Sequence, residues 1–143
     1  MGERLLLPPG ALRRIREVAQ AAWPLEACGL LEGRRDRGRV QVYAAHVLAN
    51  VDDDPRHRYT IDPESWLHLE HAARAARRTI VGVWHSHPHG DATPSASDRD
   101  EAWPGWSYLI AGVTNGALSE LRCWRLDDPV HEESILVFPE NPQ

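Results

Sequence analysis

Leu12, Ile15, Ala19 and Ala22 recur at helical spacing, with Arg13, Arg14, Arg16 and Glu17 lying off that stripe. The pattern predicts an amphipathic helix from Pro9 to Ala22, stopped by Pro24. Ala27 to Leu31 reads as a strand. A polar turn follows over Gly33–Gly38, then a second strand from Val40 to Leu48. Ala49 to Arg58 is polar and reads as a loop, with Tyr59-Thr60-Ile61 a short extended piece. Asp62-Pro63 has the chemistry of a helix start, Asp as N-cap and Pro at the first helical position. Trp66, Leu69, Ala73 and Ala76 form the buried stripe of that helix. Thr79 to His87 is the most apolar stretch, and its near-continuous Ile80, Val81 and Val83 suit a central strand covered on both faces. Ser95 opens a third helix running to about Ala102. Ser107–Val113 and Ala117–Arg125 pair across Thr114-Asn115-Gly116, a hairpin signal. Asp127-Asp128-Pro129 turns the chain into a last strand, Ser134 to Phe138.

The order α-β-β-α-β-α-β-β-β predicts an α/β fold, a mixed sheet with helices packed on its faces. The 143 residues fit one domain spanning 1–143, large enough to fold without disulfides or structural metal. Apolar residues make up 42% and charged residues 26%, an ordinary balance for a soluble chain. No apolar run approaches the ~18 residues of a membrane span. The first residues lack the apolar stretch and cleavage site of a signal peptide, so a cytoplasmic location and no membrane partner are expected. Cys28 and Cys123 lie in apolar strand-like stretches and read as buried small hydrophobes. The net charge of −5 disfavours a nucleic-acid partner, which needs a basic face.

The candidate chemistry sits in Trp84-His85-Ser86-His87 and the segment that follows, through Ser95 and Asp98. On a strand, residues i and i+2 share a face, so His85 and His87 project side by side at the strand's carboxyl end. Two neutral imidazoles so placed can both reach one zinc at about 2.0–2.1 Å, and Asp98 is placed to supply a carboxylate as third ligand. Three protein ligands leave a position for water, the mark of a catalytic rather than structural zinc. Each element has a plainer reading. H-x-H at a strand end is also a polar surface pair, and Ser95-x-x-Asp98 is also a helix cap. His89 and Asp91 compete as ligands, but Pro88 and Gly90 carry the chain off the strand there. Trp84, Trp103 and Trp106 read as core packing, with a substrate-groove wall as the alternative.

His85-Ser86-His87, seven residues, Ser95, two residues and Asp98 match the signature H-[ST]-H-x7-S-x-x-D. The chain therefore resembles the JAMM (MPN+, JAB/Mov34-type) metalloproteases, in the compact form of the bacterial stand-alone members. Pro24 to Gly33, with Glu26, resembles the family's upstream glutamate segment. Tyr59–Pro63 and Ile80–Trp84 also look like family segments. The resemblance implies an MPN domain related to the cytidine-deaminase fold, one catalytic Zn2+ on His85, His87 and Asp98, Glu26 as general acid/base, and Ser95 as a donor to the oxyanion. Ser86 faces the other side of the strand and is expected to play a supporting role. Glu26 has its own physical argument: a carboxylate beside an apolar strand is costly unless it has a partner, and a metal's water would be one. A solvated turn residue is the plainer alternative. Glu32 precedes the Gly33 turn and reads as exposed.

The resemblance implies hydrolysis of a peptide or isopeptide bond after the Gly-Gly tail of a ubiquitin-like protein. The short loops at Ala49–Arg58 and Ala102–Ser107 favour a sulfur-carrier substrate over a polyubiquitin chain. Rival readings are a RadC-like DNA-repair-associated protein, a cell-wall peptide hydrolase, a non-catalytic MPN scaffold, and a structural zinc site with Cys28 or His89 as fourth ligand.

Overall fold

The stripe read for the first helix is the face that meets the sheet. In the computed structural model, which describes residues 4–138, α1 spans Pro9–Ala22 and buries Ala11, Ile15 and Ala19. Ahead of it lies a strand that the residue pattern did not predict, β1 (Arg4–Leu7), whose Leu5 and Leu7 are fully buried. Four residues are too short for a two-residue period to stand out, and β1 exists through its partners. It pairs in parallel with β3 (Arg39–Leu48) on one side and with β7 (His131–Val137) on the other.

β2 runs Cys28–Asp36, straight through Gly33, so the predicted Gly33–Gly38 turn is shorter than the composition suggested. Only Arg37 and Gly38 form it, with φ of 47° and 79°. Positive φ at both central residues is the requirement of a tight hairpin turn whose twist matches its strands. The longer strand also overturns the exposed reading of Glu32. It is buried, and its carboxylate accepts from His46 Nε2 at 2.8 Å and pairs with Arg78 at 3.5 Å.

The remaining elements are α2 (Pro63–Ala75), β4 (Thr79–His87), α3 (Ala96–Asp100), β5 (Ser107–Thr114) and β6 (Ala117–Arg125). Asp62 caps α2 through Ser65 N–H, as its sequence position implied, and α3 ends two residues before the predicted Ala102. The strand order is β1-β3-β2-β4-β5-β6-β7, closed into a barrel by the β1–β7 pair. β4 is parallel to β5, and β1 is parallel to both its neighbours. The other pairs are antiparallel, so the sheet is mixed.

β4 lies in the middle of that order, and its six residues Ile80 to His85 are all buried. A bulge against β2 leaves Val81 unpaired between Ile80 and Gly82. Because a bulge breaks the two-residue alternation, Val81 and Trp84 pack in the α1 core with Leu5, Ile15, Leu31 and Leu109. Ile80 and Val83 face α2 with Leu30, Ala73 and Tyr108. Each such side chain contributes about 1.5–3 kcal/mol on burial, so both faces of β4 anchor it. Gly29 gives the Trp84 indole its room. A Cβ there would collide with the His46 carbonyl and with Trp84 Nε1, which bond to each other at 2.9 Å. Among the described residues, no helix is long and apolar enough to cross a membrane.

Candidate metal centre

Beyond the bulge β4 alternates regularly, so Val83, His85 and His87 share the α2 face while Ser86 points the other way. His85 Nε2 and His87 Nε2 lie 3.0 Å apart. Asp98 Oδ2 is 3.2 Å from the first and 3.1 Å from the second. Asp98 reaches this point because Ser95 starts α3. Ser95 Oγ accepts from Asp98 N–H at 3.1 Å, and Ser95 N–H donates to Asp98 Oδ2 at 2.9 Å. The capping and ligand readings of Ser95-x-x-Asp98 are therefore compatible, since the reciprocal cap aims the carboxylate at both rings.

Burial opposes ionisation of Asp98. The charge of His85 and the bonds from His85, His87 and Ser95 N–H outweigh it and hold the carboxyl well below its usual range. Burial keeps His85, fully enclosed, below the ordinary imidazole value, with Asp98 opposing. For His87 burial also disfavours the charge, but the bonds to Asp98 and to the Asp91 carbonyl prevail and raise it. His87 Nδ1 donates to the Asp91 carbonyl at 2.6 Å, which turns Nε2 of the same ring into the cluster. Asp91 thus contributes its backbone. Its side chain is exposed and accepts from Thr93 N–H.

The three atoms fit a divalent cation. Donors about 2.0–2.1 Å from one tetrahedral zinc stand roughly 3.3–3.4 Å from each other, slightly beyond the observed edges. Two imidazoles and a carboxylate are the donor chemistry that zinc accepts. Two ring nitrogens facing each other at 3.0 Å need a proton or a cation between them, since their lone pairs repel.

Glu26 joins this group. Glu26, His85 and His87 each bring a ligand atom within 4.8 Å of the others. Glu26 is 6% exposed, and its Oε1 is buried with no hydrogen-bond partner. Burial pushes its carboxyl up to about 8, with His87 pulling the other way and Asp98, Asp52 and Asp54 adding to the rise. Its place is set by the backbone. Glu26 N–H donates to the Pro55 carbonyl at 2.7 Å, and Asn50 Nδ2 donates to the Glu26 carbonyl at 3.0 Å. Ala27 N–H donates to Ser86 Oγ at 2.8 Å, and Ser86 N–H returns a bond to the Ala27 carbonyl at 3.0 Å. The residue between the two histidines therefore ties the strand that carries them to the segment that carries Glu26. Ser86→Ala is expected to lower stability by about 1–3 kcal/mol, the cost of a buried N–H left unpaired. A urea midpoint equal to wild type would contradict it.

Ser95, although exposed, lines a cleft of about 330 Å³ together with Glu26, His87, His57 and His89. Its Oγ uses a lone pair on Asp98 N–H, so the hydroxyl proton remains to donate. His89 is exposed and stacks on His57 at 6.0 Å. The Cys28 thiol donates to the Leu48 and Ala49 carbonyls at 3.7 and 3.9 Å and is pushed up to about 12, first by burial and then by Glu26.

The residue pattern missed the roles of Asn50 and Tyr59. Asn50 also donates to the Arg58 carbonyl and accepts from Asp52 and Thr60 N–H, folding the loop that walls the site. Tyr59 stacks on His85 at 4.4 Å. Asn-x-Asp has turn-forming chemistry, but nothing local says what the turn packs against. Trp84 is core as expected. Trp103 is 62% exposed and overturns the core reading for that residue. Trp106 stacks on Trp66 at 4.8 Å.

A family model described as prokaryotic homologs of the JAB domain matches residues 8–127. The chain is similar to a desampylase of Haloferax volcanii, 44% identical over 100 residues, covering 69% of this chain and 70% of that protein. A probable TtuB-protein conjugate cleaving protease of Thermus thermophilus is 34% identical over 109 residues, covering 76% and 70%. Among solved structures, protein DSY2949 from Desulfitobacterium hafniense superposes with a TM-score of 0.83 at 32% identity, covering 96% of this chain and 95% of that one. AF2198, a JAB1/MPN domain protein from Archaeoglobus fulgidus, superposes with 0.53 at 17% identity, covering 95% and 97%, a likeness of fold alone.

Proposed function

The chain belongs to the prokaryotic JAB-domain family, and on that premise we propose that it is a zinc metalloprotease. Its reaction is hydrolysis of the peptide or isopeptide bond after the Gly-Gly tail of a ubiquitin-like protein of the sulfur-carrier kind. The observation that carries the reading is the convergence of His85, His87 and Asp98 within 3.0–3.2 Å beside a buried, unpartnered Glu26 oxygen. The relatives support the substrate class, being described as a desampylase and a conjugate cleaving protease.

His85, His87 and Asp98 would hold the zinc. Bound there, the metal supplies a Lewis acid for the scissile carbonyl and lowers the pKa of a water toward about 7. Glu26 accepts a proton from the attacking water at its free oxygen and delivers it to the departing nitrogen. Ser95 Oγ donates its proton to the carbonyl oxygen as that oxygen gains charge. The Asp91 carbonyl fixes the ring of His87, and Ser86 and Asn50 fix the height of Glu26. Residues 1–143 act as one domain, and enzyme and carrier meet in the cytoplasm.

The test is mass spectrometry of several sulfur-carrier proteins extended beyond their Gly-Gly ends, incubated with zinc-loaded protein. Expected is release of the extension at the second glycine, stopped by a chelator and restored by zinc. No cleavage of any carrier would remove this substrate class. Cleavage of peptidoglycan peptides instead would install the cell-wall reading, and salt-sensitive duplex binding the DNA-repair one.

A further inference from the structure

The two histidines of the metal centre are held by different means. His87 is fixed by a hydrogen bond from Nδ1 to the Asp91 carbonyl at 2.6 Å. His85 is the more deeply buried, at 0% exposed, yet its Nδ1 has no hydrogen-bond partner among the described residues. A metal-ligating imidazole almost always donates its other ring N–H to a carbonyl, a carboxylate or a water, and that bond sets the plane of the ring. Without it, nothing at Nδ1 opposes rotation of the His85 ring about Cβ–Cγ.

The ring is held by its faces instead. Tyr59 lies against it with centroids 4.4 Å apart and 24° between the planes, and His87 stands edge-on to it at 4.8 Å and 63°. Turning His85 about Cβ–Cγ would drive a ring edge into the Tyr59 face. An aromatic face also attracts positive charge, so the stack strengthens when a divalent ion draws electrons from the imidazole. Tyr59 is itself clamped on both sides of its backbone. Asn50 Nδ2 donates to the Arg58 carbonyl at 3.0 Å, and Asn50 Oδ1 accepts from Thr60 N–H at 3.1 Å. Thr60 Oγ1 donates to Asp52 at 2.7 Å, and Val51 N–H donates to the Thr60 carbonyl at 2.9 Å. The Tyr59 side chain packs on the core that holds Leu30, Val83 and Tyr108. The same Asn50 amide donates to the Glu26 carbonyl at 3.0 Å, so one side chain sets the spacing between Glu26 and the ring on His85.

Resting on the hydrolase reading above, we propose that Tyr59 is the positioning residue of the His85 ligand. Its ring face keeps the imidazole in the plane from which Nε2 meets His87 and Asp98, the task that the Asp91 carbonyl performs for His87. The two ligands then differ in donor strength. A hydrogen bond from the second ring nitrogen makes an imidazole a more basic ligand, and His87 has that bond while His85 does not. His85 is the weaker donor and leaves more positive charge for the substrate carbonyl. The Tyr59 stack lets the site keep this weaker donor without losing its geometry.

The experiment measures zinc affinity by competition with a chromophoric chelator, for wild type, Tyr59→Phe, Tyr59→Leu and Leu69→Ala. Loss of a ligand's outer partner weakens metal binding by about 10–100-fold, and that is the loss expected of Tyr59→Leu. Tyr59→Phe should match wild type, because the ring face and not the hydroxyl makes the contact. Leu69 packs from α2 against the same core. Leu69→Ala should lower the urea midpoint and leave zinc affinity unchanged, which separates a lost stack from a weakened fold. Cobalt in place of zinc adds a spectroscopic signature: the d–d bands should shift in Tyr59→Leu and stay in Tyr59→Phe. Crystals of the zinc-free proteins show the ring without the ion. The His85 ring should hold one orientation in wild type and turn or split in Tyr59→Leu. Wild-type zinc affinity in Tyr59→Leu would overturn the proposal, as would an unturned His85 ring in its crystals or an equal loss in Tyr59→Phe or Leu69→Ala. A wild type that takes up no zinc, with a ring that turns only in Tyr59→Leu, sinks the hydrolase reading and keeps Tyr59 as the holder of His85. Zinc-dependent carrier cleavage with unchanged zinc affinity in Tyr59→Leu does the reverse.

Discussion

Glu26→Gln is expected to lower turnover by about 10²–10⁴-fold, the usual range for removing a general acid/base, while zinc content stays at the wild-type level. The substitution keeps the shape, the backbone bonds of residue 26 to Pro55 and Asn50 and the bonds of its neighbour Ala27 to Ser86, so the neighbouring rings have no reason to move. What it removes is a proton acceptor at an oxygen that the protein leaves unpartnered in a buried place. An unpaired buried polar atom costs stability, and a chain holds one where function uses it. The measurement is kcat on an extended carrier, with metal content by mass spectrometry on the same sample. A fully active Glu26→Gln enzyme would remove Glu26 from the mechanism. Lost zinc would move it into the ligand set.

His87→Ala is expected to lose the metal itself. The variant keeps Asp98 capped by Ser95 but takes away one of three donors, leaving two that cannot hold zinc through dialysis. Zinc should fall from about one per chain to a small fraction, with activity falling alongside. Thermal melting gives a second readout. A ligand that binds only the folded state raises its stability as binding strengthens, so added zinc should raise the wild-type melting temperature and leave the variant's unchanged. Unchanged zinc content in the variant would take His87 out of the ligand set.

Much of the candidate site is legible because its geometry is local. Alternation on a strand places His85 and His87 side by side whatever surrounds them, and the three-residue step from Ser95 to Asp98 makes a cap wherever a helix begins. α1, α2 and the Asn115-Gly116 hairpin come from equally short-range chemistry. The errors also have one cause. Gly33 resembles a turn residue, but β3 and β4 pair on either side of it, and β3 carries β2 onward to Asp36. Glu32 is drawn inward with it. The four-residue β1 makes sense only once β3 and β7 flank it. Trp103 looks like core by composition but lies beyond the end of α3 and is exposed.

By itself, then, the order of residues determined the helices and most of the strands, the paired imidazoles and the capped aspartate, since each depends on neighbours a few positions away. Only the tertiary structure brought Glu26 to them, through the register that pairs Cys28 with His85 and the Ser86 bridge across 59 positions. It alone laid Tyr59 on His85 and Trp66 on Trp106. Contacts between distant segments are chosen by which packing buries the most apolar surface with its polar groups satisfied, and that choice belongs to the whole chain at once.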